Sequence, residues 1–137
     1  IATKHVEDFG QISPDGQWIA YVSDETGRPE IYAQAYPELG EKIRLSRNGG
    51  TFPLWSHDGT ELYFVGGVND MMAARYTVSG GAFIVTEVEI LFNTTGMLMG
   101  INNKSYDIHP EDGRFLVLSL GDAEAQLVWV QNWEQGL

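Results

Sequence analysis

The chain has 137 residues, enough for one domain, and its acidic balance limits the partners it can attract. With 19 Asp and Glu residues against 8 Lys and Arg residues, the formal charge is −11, which repels nucleic acid and anionic membrane surfaces. No apolar run is as long as a membrane-spanning helix, and the lack of cysteine excludes disulfides and thiolate chemistry. We therefore expect no nucleic-acid partner and no membrane insertion.

A polar turn followed by a β-rich run occurs three times along the chain. The copies are Ser13-Pro14-Asp15-Gly16, Ser56-His57-Asp58-Gly59 and His109-Pro110-Glu111-Asp112-Gly113, and the third is expected to be one residue longer through insertion of Glu111. Aspartate accepts local backbone hydrogen bonds and glycine adopts positive φ, so such turns are typical of β-hairpins. The distance along the sequence between the Asp-Gly pairs of the first two turns matches a four-stranded propeller blade of about 40–45 residues. The pattern predicts a repeat architecture.

The alternation of apolar and turn residues predicts strands and no helix. The fold class is therefore all-β, with about three antiparallel, four-stranded propeller blades that form half of a six-bladed ring within a single partial domain, 1–137. Blade 1 is expected at about 9–46, with strands 9–13, 17–23, 30–36 and 42–46. Blade 2 is expected at about 52–91, with strands 52–56, 61–66, 71–77 and 84–91. Blade 3 is expected at about 105–133, with strands 105–109, 114–119 and 126–133 after a long loop, 92–104.

Several of these segments resemble TolB-type, WD-like β-propeller repeats. The resemblance rests on residues 13–23, on Glu30-Ile31-Tyr32, on residues 53–59 and 106–110, and on the Leu-Val-x-Val-x-Asn-Trp stretch at 127–133. The last stretch is similar to the carboxyl end of propellers attached to bacterial serine/threonine kinases and winged-helix regulators. The resemblance implies a ring of six or more blades and a bacterial source, while the compartment, periplasmic or cytoplasmic, stays open.

The third blade lacks a predicted fourth strand. Because an exposed sheet edge leaves backbone groups unpaired, we expect another segment to pair with it. One hypothesis is a homodimer that completes a six-bladed ring, with Ile1–Asp8 of each subunit closing blade 3 of the other. The alternative is a longer chain whose remaining blades close the ring. The chain begins at Ile1, which fits either a mature form or a piece of a longer protein.

The sequence offers no motif for catalysis, a cofactor or a metal. It has no Gly-x-Ser-x-Gly elbow, no phosphate loop and no calcium loop, so we expect neither an enzyme nor a bound cofactor. His57 and His109 are expected to be solvated turn residues rather than metal ligands. The tryptophans and tyrosines, which fall at repeated strand positions, are expected to pack between blades.

Binding residues concentrate in loops carried by a rigid scaffold, and here one end of the blades carries the longer loops. The expected function is a non-catalytic module that binds or senses a protein, peptide or small ligand on this loop face or at the central channel. The alternative is an accessory propeller of a larger enzyme, a serine peptidase or a kinase. The candidate partner-binding residues are Asp24, Arg28, Asn69, Asp70, Met97, Leu98, Met99 and Asn102. The methionine-rich part has an alternative role as a small satellite core under its own loop.

Overall fold

The computed structural model describes residues 7–95, 106–109, 111, 113–120 and 125–130. All regular structure in these ranges is β-strand, which confirms the all-β fold class. The strands are β1 (Glu7–Ile12), β2 (Trp18–Ser23), β3 (Glu30–Ala35), β4 (Ile43–Arg44), β5 (Gly50–Trp55), β6 (Glu61–Gly66), β7 (Asp70–Ser79), β8 (Ala82–Asn93), β9 (Tyr106–Ile108), β10 (Phe115–Leu120) and β11 (Ala125–Val130).

The strands form three antiparallel sheets in which neighbours along the chain are neighbours in the sheet. Sheet 1 has the order β1-β2-β3-β4, sheet 2 has β5-β6-β7-β8, and sheet 3 contains β9, β10 and β11. Each sheet is thus a meander, as expected for a propeller blade. Two features differ from expectation: β4 has only 2 residues, whereas β7 and β8 form a hairpin of 10 and 12 residues.

The start of the chain also differs from expectation. Glu7 and Asp8, which were expected in a strand that closes another subunit, belong to β1 and pair with Ser23 and Val22 of their own sheet. Residues 1–6 of the expected closing strand lie outside the described residues. Glu7 and Asp8 are therefore paired within their own sheet on the side that faces β2.

The first turn is held by the hydrogen bonds that its sequence predicts. The Ser13 hydroxyl donates to Asp15 Oδ1 at 2.6 Å and accepts the Trp18 amide at 3.1 Å. Asp15 Oδ1 also accepts the Gln17 amide at 3.0 Å, and Gly16 has a φ of 76°. The Ser13 hydrogen bond, followed by that of Gln17, lowers the pKa of Asp15 because both stabilise the ionised carboxylate.

The second turn repeats this arrangement. Ser56 Oγ donates to Asp58 Oδ1 at 2.7 Å, and Asp58 Oδ1 accepts the Thr60 hydroxyl at 2.7 Å. The hydrogen bond from Thr60, followed by that from Ser56, lowers the pKa of Asp58. The aspartates of the two described Asp-Gly turns therefore have structural partners within their own turns.

The expectation of an inserted residue in the third turn is wrong. The last paired residues before and after the turns are Ile12 with Ile19, Trp55 with Leu62, and Ile108 with Phe115, so the three turns have the same length. The third turn differs in the place of its glycine. The Gly113 amide donates to the carbonyl of His109, the fourth residue before it, whereas the Gly16 amide donates to that of Ser13, the third residue before it. The Asp-Gly pair therefore lies one residue later in the third turn than in the first, although the turns are equally long.

Sheets 1 and 2 pack face to face through aromatic rings. Trp18 of sheet 1 lies 5.0 Å from Phe83 of sheet 2 between ring centroids, and within sheet 2 Trp55 lies 5.4 Å from the ring of Tyr76 in the same cluster. Trp18, Trp55 and Phe83 are all buried, which confirms the expected packing of Trp18 and Trp55 between blades. Sheets 2 and 3 pack in the same way, with Tyr63 4.9 Å from Phe115.

Hydrogen bonds from aromatic side chains to main-chain carbonyls also join the sheets. Trp55 Nε1 donates to the carbonyl of Gln11 at 2.8 Å, and the Tyr106 hydroxyl donates to that of Phe52 at 2.7 Å. Phe52 has a φ of 56° and lies in a β-bulge of β5, while β1 has a register shift at the corresponding place. Burial of Tyr106 raises its pKa well above the usual range, so the hydroxyl keeps the proton it donates.

Candidate binding face

The loop face consists of the β2–β3 turn, the β4–β5 connection, the β6–β7 turn and the end of β8. The β2–β3 turn is closed by a hydrogen bond from the Gly27 amide to the Asp24 carbonyl at 2.9 Å. It is joined to the β4–β5 connection by the Gly50 amide, which donates to the Pro29 carbonyl at 2.9 Å, and by Arg28 Nη2, which donates to the Arg47 carbonyl. These segments therefore form one connected surface.

A buried carboxylate fixes the β4–β5 connection to β3. Glu30 is 1% exposed, and its Oε1 accepts hydrogen bonds from the Ser46 hydroxyl and from the Gly49 amide, the latter at 3.0 Å. Its Oε2 accepts one from Arg28 Nε at 3.0 Å. Ser46 Oγ in turn accepts the Ile31 amide at 2.8 Å. A buried carboxylate requires such partners, and here they place the loop on the blade.

Gly50 makes the close approach of this connection to β3 possible. A Cβ atom at Gly50 would lie 2.7 Å from Ile31 Cγ1 and 2.8 Å from Ser46 Oγ, which is too close for a real contact. Across the cleft, the Gly67 amide donates to the Asn48 carbonyl at 3.1 Å and joins blade 1 to the β6–β7 turn. The glycine pairs of this region thus act where backbone segments pack against each other.

The β6–β7 turn and the end of β8 form the second part of the loop face. The Asn69 carbonyl accepts the Thr94 amide at 2.7 Å and the Thr94 hydroxyl at 2.8 Å, and Asn69 has a φ of 61°. Asn93 Nδ2 donates to Asp70 Oδ1 at 3.1 Å. Thr94 itself is 3% exposed, so this corner is packed and ordered by local hydrogen bonds.

A cleft of about 250 Å³ opens between blades 1 and 2 at the edge of the loop face. Its walls are apolar, its rim is polar and glycines lie where the segments approach. The lining residues are Leu45, Phe64, Met72, Val88 and Ile90, then Ser46, Arg47, Asn48 and Asp70, and finally Gly49, Gly66 and Gly67. Apolar walls with a few polar groups are the usual composition of a ligand site.

The candidate residues of the sequence have different places in this arrangement. Asp70 lines the cleft, and Arg28 is bound to the β4–β5 connection beside it. Asp24 and Asn69 shape the two turns through their carbonyl groups. The other four, Met97, Leu98, Met99 and Asn102, lie outside the described residues, so both roles of that segment stay predictions.

Sequence reasoning missed the residues that form most of the cleft. Val88 and Ile90 are 42% and 54% exposed although they belong to a strand, and they alternate with Glu87 and Glu89. This alternation was the available signal, because a strand with one apolar and one acidic face is visible in the sequence. Glu30, a single acid at a strand start, carried no comparable signal.

The turn histidine His57 is not simply solvated. Its ring is exposed, yet Nε2 lies 2.9 Å from the Ile108 carbonyl of the next blade, within hydrogen-bond distance. Across the parts of the chain that the structure describes, no three His, Asp or Glu side chains converge in a way that would hold a metal ion. His57 therefore contributes a contact between sheets 2 and 3.

The comparisons with known proteins bear on the fold. The chain superposes on the crystal structure of TolB from Acinetobacter baumannii with a TM-score of 0.60 over 90% of its length. The fold is that of a TolB-like β-propeller. The identity of 19% limits this likeness to the fold, and the chain spans only 29% of the TolB chain. No family model and no curated protein matches the sequence. In the described residues of this TolB-like chain, no apolar helix reaches the length needed to cross a membrane.

Proposed function

We propose that this TolB-like chain is a non-catalytic binding module that engages a protein or peptide on its loop face. The cleft between blades 1 and 2 carries the proposal, because it combines apolar walls with a rim of Arg47, Asn48 and Asp70. The rim belongs to segments that are fixed by Glu30 and by backbone hydrogen bonds, so the site is formed before a ligand arrives. A preformed site loses less conformational entropy on binding.

The test is selection of peptides from a displayed library on the immobilised full chain. Peptides that bind the cleft should lose affinity for the Arg47→Ala and Asn48→Ala variants, because both residues line the cleft. Gln17→Ala is the matched control, since Gln17 is exposed on the opposite face and uses its backbone in the turn. Selected peptides that bind all three variants equally would contradict the loop-face proposal and favour the central channel.

A second proposal concerns the remainder of the ring. The match to only 29% of the TolB chain favours a larger assembly, either a homodimer or the further blades of a longer chain. In the longer-chain case, the propeller could be the accessory domain of a serine peptidase or a kinase. Light scattering of the purified 137-residue chain tests the dimer, which a folded monomer would refute, and the full open reading frame tests the attached enzyme.

A further inference from the structure

Strand β8 is the outermost strand of sheet 2 among the described residues. It is 12 residues long, and its two faces differ in chemistry. Val88 and Ile90 pair with Ala74 and Met72, whose side chains face blade 1, and so both line the cleft. An edge strand presents unpaired backbone groups to solvent, and this one presents them beside an apolar wall.

The opposite face of β8 is acidic. Arg75 of β7 lies among three carboxylates, with Nη2 3.0 Å from Glu89, Nη1 3.3 Å from Glu87 and Nε 3.6 Å from Glu61. The carboxylates, led by that of Glu89, raise the pKa of Arg75. One guanidinium among three carboxylates leaves this face with two more negative charges than positive ones.

We infer that β8 binds an extended peptide segment in which apolar and cationic residues alternate, added as a fifth strand of sheet 2. Such a segment would place its apolar side chains over Val88 and Ile90 in the cleft and its Lys or Arg side chains near Glu87 and Glu89. Strand addition gives affinity through main-chain hydrogen bonds and specificity through alternate side chains. This inference rests on the proposed function, since it names the partner of the same cleft.

A second copy of this chain is a poorer occupant of the same edge. Two β8 strands paired edge to edge would bring Glu87 and Glu89 of both copies together, and like charges on adjacent strands destabilise a sheet. The formal charge of −11 adds to this repulsion over the whole molecule. The same charges attract a cationic segment.

The experiment measures binding of two synthetic peptides to the full chain by fluorescence anisotropy. The probe alternates valine and lysine, and the control alternates valine and glutamate, so the two share their apolar positions and carry opposite charges at the alternate ones. We expect the lysine peptide to bind and the glutamate peptide to show no binding, with affinity falling as salt is raised. Equal binding of both peptides, or of neither, would overturn the inference.

Variants of the chain test the two faces separately. Val88→Thr with Ile90→Thr should weaken binding of the lysine peptide by about tenfold through lost apolar burial, while the fold is kept because threonine is also β-branched. The matched control is Val78→Thr with Ile84→Thr, which changes side chains of the same hairpin that are 47% and 46% exposed outside the cleft. The control should leave binding unchanged, and equal losses in the two variants would refute the assignment to the cleft.

Glu87→Gln with Glu89→Gln should weaken binding of the lysine peptide by about fivefold and reduce its salt dependence, because exposed ion pairs contribute modestly.

The outcomes for the inference and for the proposed function are distinguishable. If library peptides depend on Arg47 and Asn48 while the lysine peptide does not bind, the strand-addition inference fails and the loop-face function stands. If instead the lysine peptide binds with the predicted variant effects and no library peptide depends on the rim, the loop-face function fails and the β8 edge stands. Self-association of the chain that competes with the lysine peptide would assign the edge to a second copy and overturn the inference.

Discussion

Replacing Glu30 with alanine should loosen the loop face without opening the packed sheets. The carboxylate of Glu30 is 1% exposed and accepts hydrogen bonds from Ser46, Gly49 and Arg28. Two of these donors belong to the β4–β5 connection, which forms one wall of the cleft. The variant therefore removes the group that attaches this wall to blade 1.

The magnitude follows from the number and type of lost contacts. Three hydrogen bonds at a net value of about 1 kcal/mol each give a loss of roughly 3 kcal/mol in the free energy of unfolding for Glu30→Ala. Glu30→Gln keeps an oxygen for Ser46 and Gly49 and loses only the pairing with Arg28. Because the Arg28 side chain is 55% exposed, this ion pair is screened, and the expected loss for Glu30→Gln is at most about 1 kcal/mol.

Urea unfolding followed by tryptophan fluorescence measures both variants, and hydrogen exchange at the Gly49 amide reports on the connection itself. We expect protection at Gly49 to be lost in Glu30→Ala and kept in Glu30→Gln. The reasoning is refuted if Glu30→Ala costs less than about 1 kcal/mol and leaves Gly49 protected, or if the two variants are equally destabilised.

Tyr106→Phe removes the hydroxyl that donates a hydrogen bond to the Phe52 carbonyl across the interface between sheets 2 and 3. We expect it to lower the free energy of unfolding by about 1 kcal/mol, as measured by urea unfolding. Gly50→Ala should destabilise the chain and reduce peptide binding because its Cβ has no room, whereas Gly40→Ala, whose Cβ would lie 3.6 Å from its nearest neighbour, should leave the thermal midpoint unchanged. Asp15 and Asp58 have lowered folded pKa values, so their ionised forms stabilise the folded chain above the usual pKa of 3.8, and this stabilisation is lost as the pH falls through the lowered values. Converting both to asparagine should flatten the pH dependence of stability in that acidic range, and an unchanged acid titration would contradict the assignment.

The sequence was sufficient for the fold class because hairpin signals are local. Turn residues such as Gly16 and short apolar strands between turns, such as β6, depend on their own neighbours, and the structure has them where the pattern places them. The cleft depends on contacts distant in sequence, such as that of Glu30 with Gly49, which no local pattern encodes. The Asp-Gly pair was also a poor guide to the length of the third turn. That length is set by the hydrogen bond from the His109 amide to the Arg114 carbonyl, wherever the glycine lies within the turn.

The hydrogen bonds between blades have a consequence for how such a ring can change over generations. Trp55 and Tyr106 each donate to a main-chain carbonyl of the preceding blade, at Gln11 and Phe52. A carbonyl group is present whatever side chain the residue carries, so the accepting blade can mutate at these positions and still receive the bond. Only the donor has to be conserved. A blade of this kind is therefore a transferable unit, suited to duplication and recombination with neighbours of unrelated sequence.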